Sequence, residues 1–204
     1  MSRSPPSTAG SGVMAPRRGK ALPPPRDAAA APRVLVAELR DLIGEVTCAA
    51  VCAELLAGGD PEDNVEALGY LGGRGAPGLV EGVWAPSWGR VWGARGLLYA
   101  WDPTVAPAVV AGLADPAWRV AEMCLKVSSL RELAEAGDPA TRLAEHELPR
   151  VRANAVRTLG LVGDTEHVDT VERALDDEEP LVRRAAALAM RRLTARLDLP
   201  ARHG

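Results

Sequence analysis

Three arginines recur at one place in the chain. Pro116, Pro149 and Pro180 are each followed three residues later by Arg, at Arg119, Arg152 and Arg183. Earlier, Pro86 is followed by Gly89 in that slot, with Arg90 next to it. A guanidinium at a repeating position can grip carboxylates bidentately. Such a row either ties neighbouring segments together or presents cations to a ligand, and both readings stay open. All five Trp lie between positions 84 and 118: Trp84, Trp88, Trp92, Trp101 and Trp118. Trp is enriched where partners bind most strongly, and Trp88 and Trp92, four apart, would share one helix face. Trp88 and Trp118 hold equivalent places at the proline spacing, later filled by Val151 and Val182, which suits a core between repeats. At the same spacing Trp92 matches Glu122, Ala155 and Ala186, which do not demand burial, so Trp92 is the better candidate for an exposed groove. The candidate partner-binding residues are therefore Trp88, Trp92, Trp101, Arg119, Arg152 and Arg183.

Other reactive side chains do not assemble into a catalytic set. Cys48 and Cys52 sit at helical i, i+4 spacing, but no nearby His or Cys completes the four ligands of a structural zinc site. These thiols are expected to be buried. His146, within Glu-His-Glu, stands apart from His167 and His203. Gly72-Gly73-Arg74-Gly75 lacks the preceding strand and following Lys of a phosphate loop. No catalytic residue, metal or cofactor is expected.

These side chains must be carried by helices. Of the 204 residues 47% are hydrophobic, yet only 3% are aromatic and none is Phe. A core built from Ala, Leu and Val, without alternating β-branched runs, favours packed helices over sheets. Ala-Pro-Gly-Leu-Val-Glu-Gly-Val at 76–83 returns as Ala-Pro-Ala-Val-Val-Ala-Gly-Leu at 106–113. Pro86, Pro116, Pro149 and Pro180 then mark successive units, because Pro is tolerated in the first helical turn. Four Asp-Pro pairs, at 60–61, 102–103, 115–116 and 138–139, read as an N-cap followed by the first helical residue. The apolar stripes expected are Val34, Leu35, Leu39 and Leu42 near the start, then Val151, Ala155 and Leu159, and finally Leu181, Ala185, Leu188 and Leu193. Thr158 falls on the opposite face. Around 122–147 the register lapses, and Ser129 and Asp138 both remain possible helix starts.

Charge is uneven along the chain. Residues 1–32 are rich in Pro, Ser and Ala and carry five basic side chains against Asp27. Such a segment cannot offset its ordering entropy by burial and is expected to be a disordered tail. Residues 33–204 carry nineteen basic and twenty-six acidic side chains, a balance of −7, which disfavours non-specific binding to phosphate backbones. Basic residues are almost all Arg, with Lys only at Lys20 and Lys126, a pattern of high-GC coding. Three cysteines without framework spacing point to a reducing, cytoplasmic setting, and no apolar run reaches membrane-spanning length.

Residues 151–164, Val-Arg-Ala-Asn-Ala-Val-Arg-Thr-Leu-Gly-Leu-Val-Gly-Asp, and Pro-Leu-Val-Arg-Arg-Ala-Ala at 180–186 resemble HEAT repeats, especially the short bacterial, phycobilin-lyase type. The resemblance covers 148–194 and 62–121. It implies an all-α solenoid of about four to five helical hairpins. The expected division is a cap over 33–59, repeats at 61–85, 86–114, 116–147 and 149–177, and a capping helix at 180–196, within a repeat domain of 33–198. It also implies that the Arg of each unit reaches an acid of its neighbour, with Asp115, Asp138, Asp164 and Asp176 as possible partners. The function it implies is a non-catalytic scaffold for a protein partner, not for a membrane, nucleic acid or small molecule. The alternatives are a nucleic-acid-binding or repair protein and an accessory lyase-like protein.

Overall fold

The computed structural model of the chain describes residues 21–199. These residues form eleven α-helices, joined by short 3₁₀ turns, with no strand among them. The cap expected over 33–59 consists of two helices, α1 (Pro32–Ile43) and α2 (Glu45–Leu56), separated at Gly44. Gly44 takes φ 85°, a left-handed backbone that glycine adopts without strain. Short helices α3 (Val65–Leu71), α4 (Ala76–Val80), α6 (Ala106–Gly112), α8 (Gly137–Leu143) and α10 (Val168–Arg173) then precede or alternate with longer ones. The long helices are α5 (Ser87–Gly96), α7 (Trp118–Arg131), α9 (Pro149–Val162) and α11 (Pro180–Leu197). In space α2, α5, α7, α9 and α11 stack into one row. From α6 onward each short helix packs chiefly on the long helix that follows it, half a repeat out of phase with the units marked by the prolines.

The long helices α5, α7, α9 and α11 start at Ser87, Trp118, Pro149 and Pro180, each 31 residues after the last. Proline is thus not a constant register mark. Pro149 and Pro180 open their helices, whereas Pro116 lies two residues ahead of α7. The core confirms the interval of 31: Val120, Val151 and Val182 are equivalent and buried, as are Cys124, Ala155 and Ala186. α7 runs unbroken through Ser128 and Ser129 and ends where Glu132 turns left-handed, so neither Ser129 nor Asp138 starts a helix. Asp138 is instead the second residue of α8. Asp60, Asp102 and Asp115 each accept an amide two residues on, as expected of capping residues.

Some stripe assignments change. Val34, Leu42, Leu181 and Leu188 are exposed, while Val36 and Thr158 are buried. Thr158 is accommodated because its hydroxyl donates to the Leu125 and Asn154 carbonyls, satisfying the group inside the α7–α9 contact. Of the expected tail, residues 1–20 lie outside the described residues, and 21–31 are held against the first helices. Tyr70 donates its hydroxyl to the Pro23 carbonyl at 2.6 Å, the Leu22 amide donates to Glu66, and the Arg74 amide donates to Ala28. Composition could not reveal this, because the segment is anchored by a few hydrogen bonds together with the packing of Leu22 and Ala30 on the core rather than by an apolar stripe of its own.

Candidate functional site

Two sets of arginines hold the long-helix row, one near each end. At the N-terminal ends, Arg90 grips Asp115 through Nε and Nη2 at 2.7 and 3.2 Å. Arg152 grips Asp177 in the same way, both bonds at 2.8 Å. Asp115 and Asp177 also cap the following helix, accepting the Ala117 and Glu179 amides. Between these rungs the equivalent pair is Ala121 and His146, so cation and anion are both missing. His146 keeps only the capping half of the job, its Nδ1 accepting the Leu148 amide at 2.9 Å. Arg183 repeats the remaining contacts of Arg152: each donates Nη1 to two carbonyls five and six residues back. At the opposite ends Arg95, Arg131 and Arg196 donate to carbonyls at the ends of preceding helices: Leu71, Leu97 with Leu98, and Gly163. Those carbonyls have no partner within their own helix. Burial pulls the Arg95 and Arg131 guanidiniums below their ordinary pKa.

The expected arginine series therefore divides. Arg152 and Arg183 belong to the structural row, whose other members are Arg90 and the blank at Ala121. Arg119 does not: at an interval of 31 it is equivalent to Trp88 and Arg150. Its guanidinium lies 4.2 Å from the Trp118 ring centroid and 5.6 Å from that of Trp88. Arg150 covers Trp118 from the next helix at 4.9 Å. Beyond it Glu122, buried to 5% exposure, accepts from Arg150, Asn154 and, across one helical turn, Lys126. Of the acids proposed for pairing, Asp115 is used, while Asp177 takes the place expected of Asp176.

The tryptophans also divide, against expectation. Trp92 is core, 3% exposed. A Cβ on Gly72 would stand 2.4 Å from its ring, and one on Gly75 3.1 Å away. Trp84 lies 40% exposed and covers Gly78 in the same manner. Trp84, Trp88 and Trp92 form one cluster, with centroids 5.3–6.2 Å apart. The glycines at 72, 75 and 78 make the flat bed for Trp84 and Trp92, and that three-residue glycine spacing was the available signal. Trp101 is half-buried beyond the C-terminal end of α5, beneath Arg131 at 5.1 Å. The surface these residues create is a half-exposed ribbon, Trp84–Trp88–Arg119–Trp118–Arg150, crossing α5, α7 and α9.

The remaining reactive groups are committed elsewhere. Cys48, Cys52 and Cys124 are free and buried, and burial pushes the Cys124 thiol up to about 12. Cys52 lies against α5, where Gly93 and Gly96 admit its carbonyl and sulfur to the helix backbone. His167, Asp138 and Glu166 approach one another closely enough to suggest a cation site. However, His167 Nδ1 accepts the Asp164 amide at 2.8 Å in a capping box, which leaves Nε2 carrying the proton. Nε2 lies 3.5 Å from Asp138 without a hydrogen bond to it, and a protonated Nε2 is not a metal ligand. An apolar groove of about 860 Å³ lies between α10 and α11, lined by Val168, Ala187, Met190 and Leu199. It occupies the end of the stack, where a further repeat would pack.

The family model of HEAT repeats matches residues 137–201, which span α8 to α11. Residues 137–201 are thus similar to HEAT repeats, and the described residues are all-helical, consistent with a helical-repeat solenoid. No curated protein matches it. No helix among the described residues is long and apolar enough to cross a membrane.

Proposed function

We propose that this chain is a non-catalytic scaffold that binds a protein partner on the exposed face of its long-helix row. HEAT repeats generally serve protein interaction, and stacked repeats offer an extended surface without catalytic groups. The observation that carries the reading is the Trp84–Trp88–Arg119–Trp118–Arg150 ribbon. Trp and Arg are the residues most enriched in binding hot spots, and here they are held rigid by one another while remaining partly open. Pre-stacked side chains lose little entropy when a partner closes over them. The thiols are buried and the Nδ1 atoms of His146 and His167 accept backbone amides, which favours structural roles for these groups, and unpaired cysteines suit a cytoplasmic setting.

The test is affinity capture from native extract with the full chain, comparing wild type with Trp84→Ala/Trp88→Ala. Proteins retained by wild type should be lost by the variant while its far-ultraviolet spectrum is kept. An identical retained set on both baits would refute the placement of the site.

A further inference from the structure

Charge in this molecule is sorted by element. The helices α5, α7, α9 and α11 carry thirteen Arg and Lys side chains and a single carboxylate, Glu122. Six of those cations are the structural arginines at the helix ends described above. Of the other seven, Arg191 lines the groove at the end of the stack, while Arg119, Lys126, Arg150, Arg157, Arg184 and Arg192 occupy the solvent side of the row. Lys126 and Arg150 share Glu122, Arg119 rests on tryptophan rings, and Arg157 donates to Asn154. Among the described residues Arg184 and Arg192 have no acidic partner. Apolar side chains interleave with them: Leu130, Leu181 and Leu188 are exposed, at positions that the interval of 31 places on the same face.

The loops at both ends of the long helices are acidic. Glu147, Glu178 and Glu179 lie along one margin, and Glu132, Glu135 and Asp164 along the other, all exposed. The overall balance of −7 over residues 33–204 thus hides a basic, partly apolar strip between two negative borders. A wide polyanion such as duplex DNA would meet those borders as well as the strip, and they would repel it. A narrow acidic chain would meet the strip alone. The chain's own residues 1–20 cannot be that occupant, since they carry Arg3, Arg17, Arg18 and Lys20 and no acid.

We infer that the partner engaged by the long-helix face is an acidic polypeptide segment with apolar anchors, laid across α5, α7, α9 and α11. The inference rests on the scaffold reading and specifies its partner. At about 10 Å between packed helices the strip is roughly 30 Å long, matched by about nine residues of extended chain. Charge complementarity of this kind selects the partner and speeds its arrival, so binding weakens as salt rises.

The test uses the full chain and a fluorescein-labelled peptide of about nine residues alternating Glu and Leu, read by anisotropy. The comparators are its Lys-for-Glu counterpart and single-stranded and duplex DNA of similar length. Wild type should bind the Glu peptide more tightly than any comparator at low salt, with affinity falling toward ~0.15 M. Arg157→Glu/Arg184→Glu/Arg192→Glu, with an unchanged thermal transition, should lose at least about tenfold. Arg184→Gln/Arg192→Gln serves if the triple variant does not fold, and should weaken binding in the same direction. Either DNA binding as tightly as the Glu peptide would overturn the inference, as would equal binding of the Lys peptide or no binding at low salt. A dimer of the chain alone that charge reversal dissolves would also overturn it, by making a second copy the occupant. Captured proteins that depend on Trp84 and Trp88 but not on Arg157, Arg184 and Arg192 would leave the scaffold standing without its acidic partner.

Discussion

A Cβ on Gly72 would stand 2.4 Å from the Trp92 ring, and that contact decides what Trp92 does. The side chain fills a glycine bed, so Trp92→Ala should cost about 3–5 kcal/mol in denaturant unfolding. Trp88→Ala, one helical turn away and half-open, should cost markedly less in the same assay. The roles of Trp88 and Trp92 are the reverse of what spacing alone suggests. Spacing puts both on one face but is blind to the helix opposite, whose Gly72 and Gly75 make room for only one of them. Arg152 and Asp177 allow a second residue-scale expectation. Arg152 beside Asp177 holds that carboxyl below its ordinary range. A depressed carboxyl pKa adds stability above the unfolded value of about 3.9, and the gain disappears as pH falls through the folded value. Asp177→Asn should therefore melt below wild type at neutral pH, and the gap should close as pH drops below about 4. A gap that stays constant down to the folded value would show that the pair adds nothing.

At the scale of elements, the stack is built from repeated joints with one joint altered. Arg90–Asp115 and Arg152–Asp177 are like joints, and Ala121 with His146 is the blank between them. Filling only one side would leave an unpaired charge near the core, which is unfavourable. The variants Ala121→Arg and His146→Asp should each destabilise, whereas the double variant should recover with a coupling of about 1 kcal/mol or more. Simple additivity in thermal melts would show that the blank cannot accept a rung. This joint also marks where the sequence was hardest to read. Helix existence and the Asp caps at 60 and 102 were legible because they follow from local chemistry, whereas the lapse of register expected near 122–147 is absent, since α7 and α9 keep the interval of 31. The register of the Arg series was not legible. Pro116 looks equivalent to Pro149, but it lies in the loop before α7, and two residues of slip carried Arg119 into the wrong column.

For the whole molecule, each repeat buries its apolar side only against neighbours, so stability is shared along the row. Gly160 admits Ala189 so closely that a Cβ there would meet its Cα at 2.6 Å, binding α9 to α11. Truncation after Asp164 should expose Val156 and Leu159 and lower the melting temperature of what remains. An unchanged transition would mean that the units fold independently. The same row gathers the Trp–Arg ribbon and the basic strip on one surface and leaves the apolar groove at its end. These are two separate places for a partner, and hydroxyl-radical footprinting of the full chain with a captured protein distinguishes them directly. The account predicts reduced oxidation at Trp84 and Trp88 on binding, with Met190 unchanged. Protection of Met190 while the tryptophans of the ribbon stay fully reactive would contradict it.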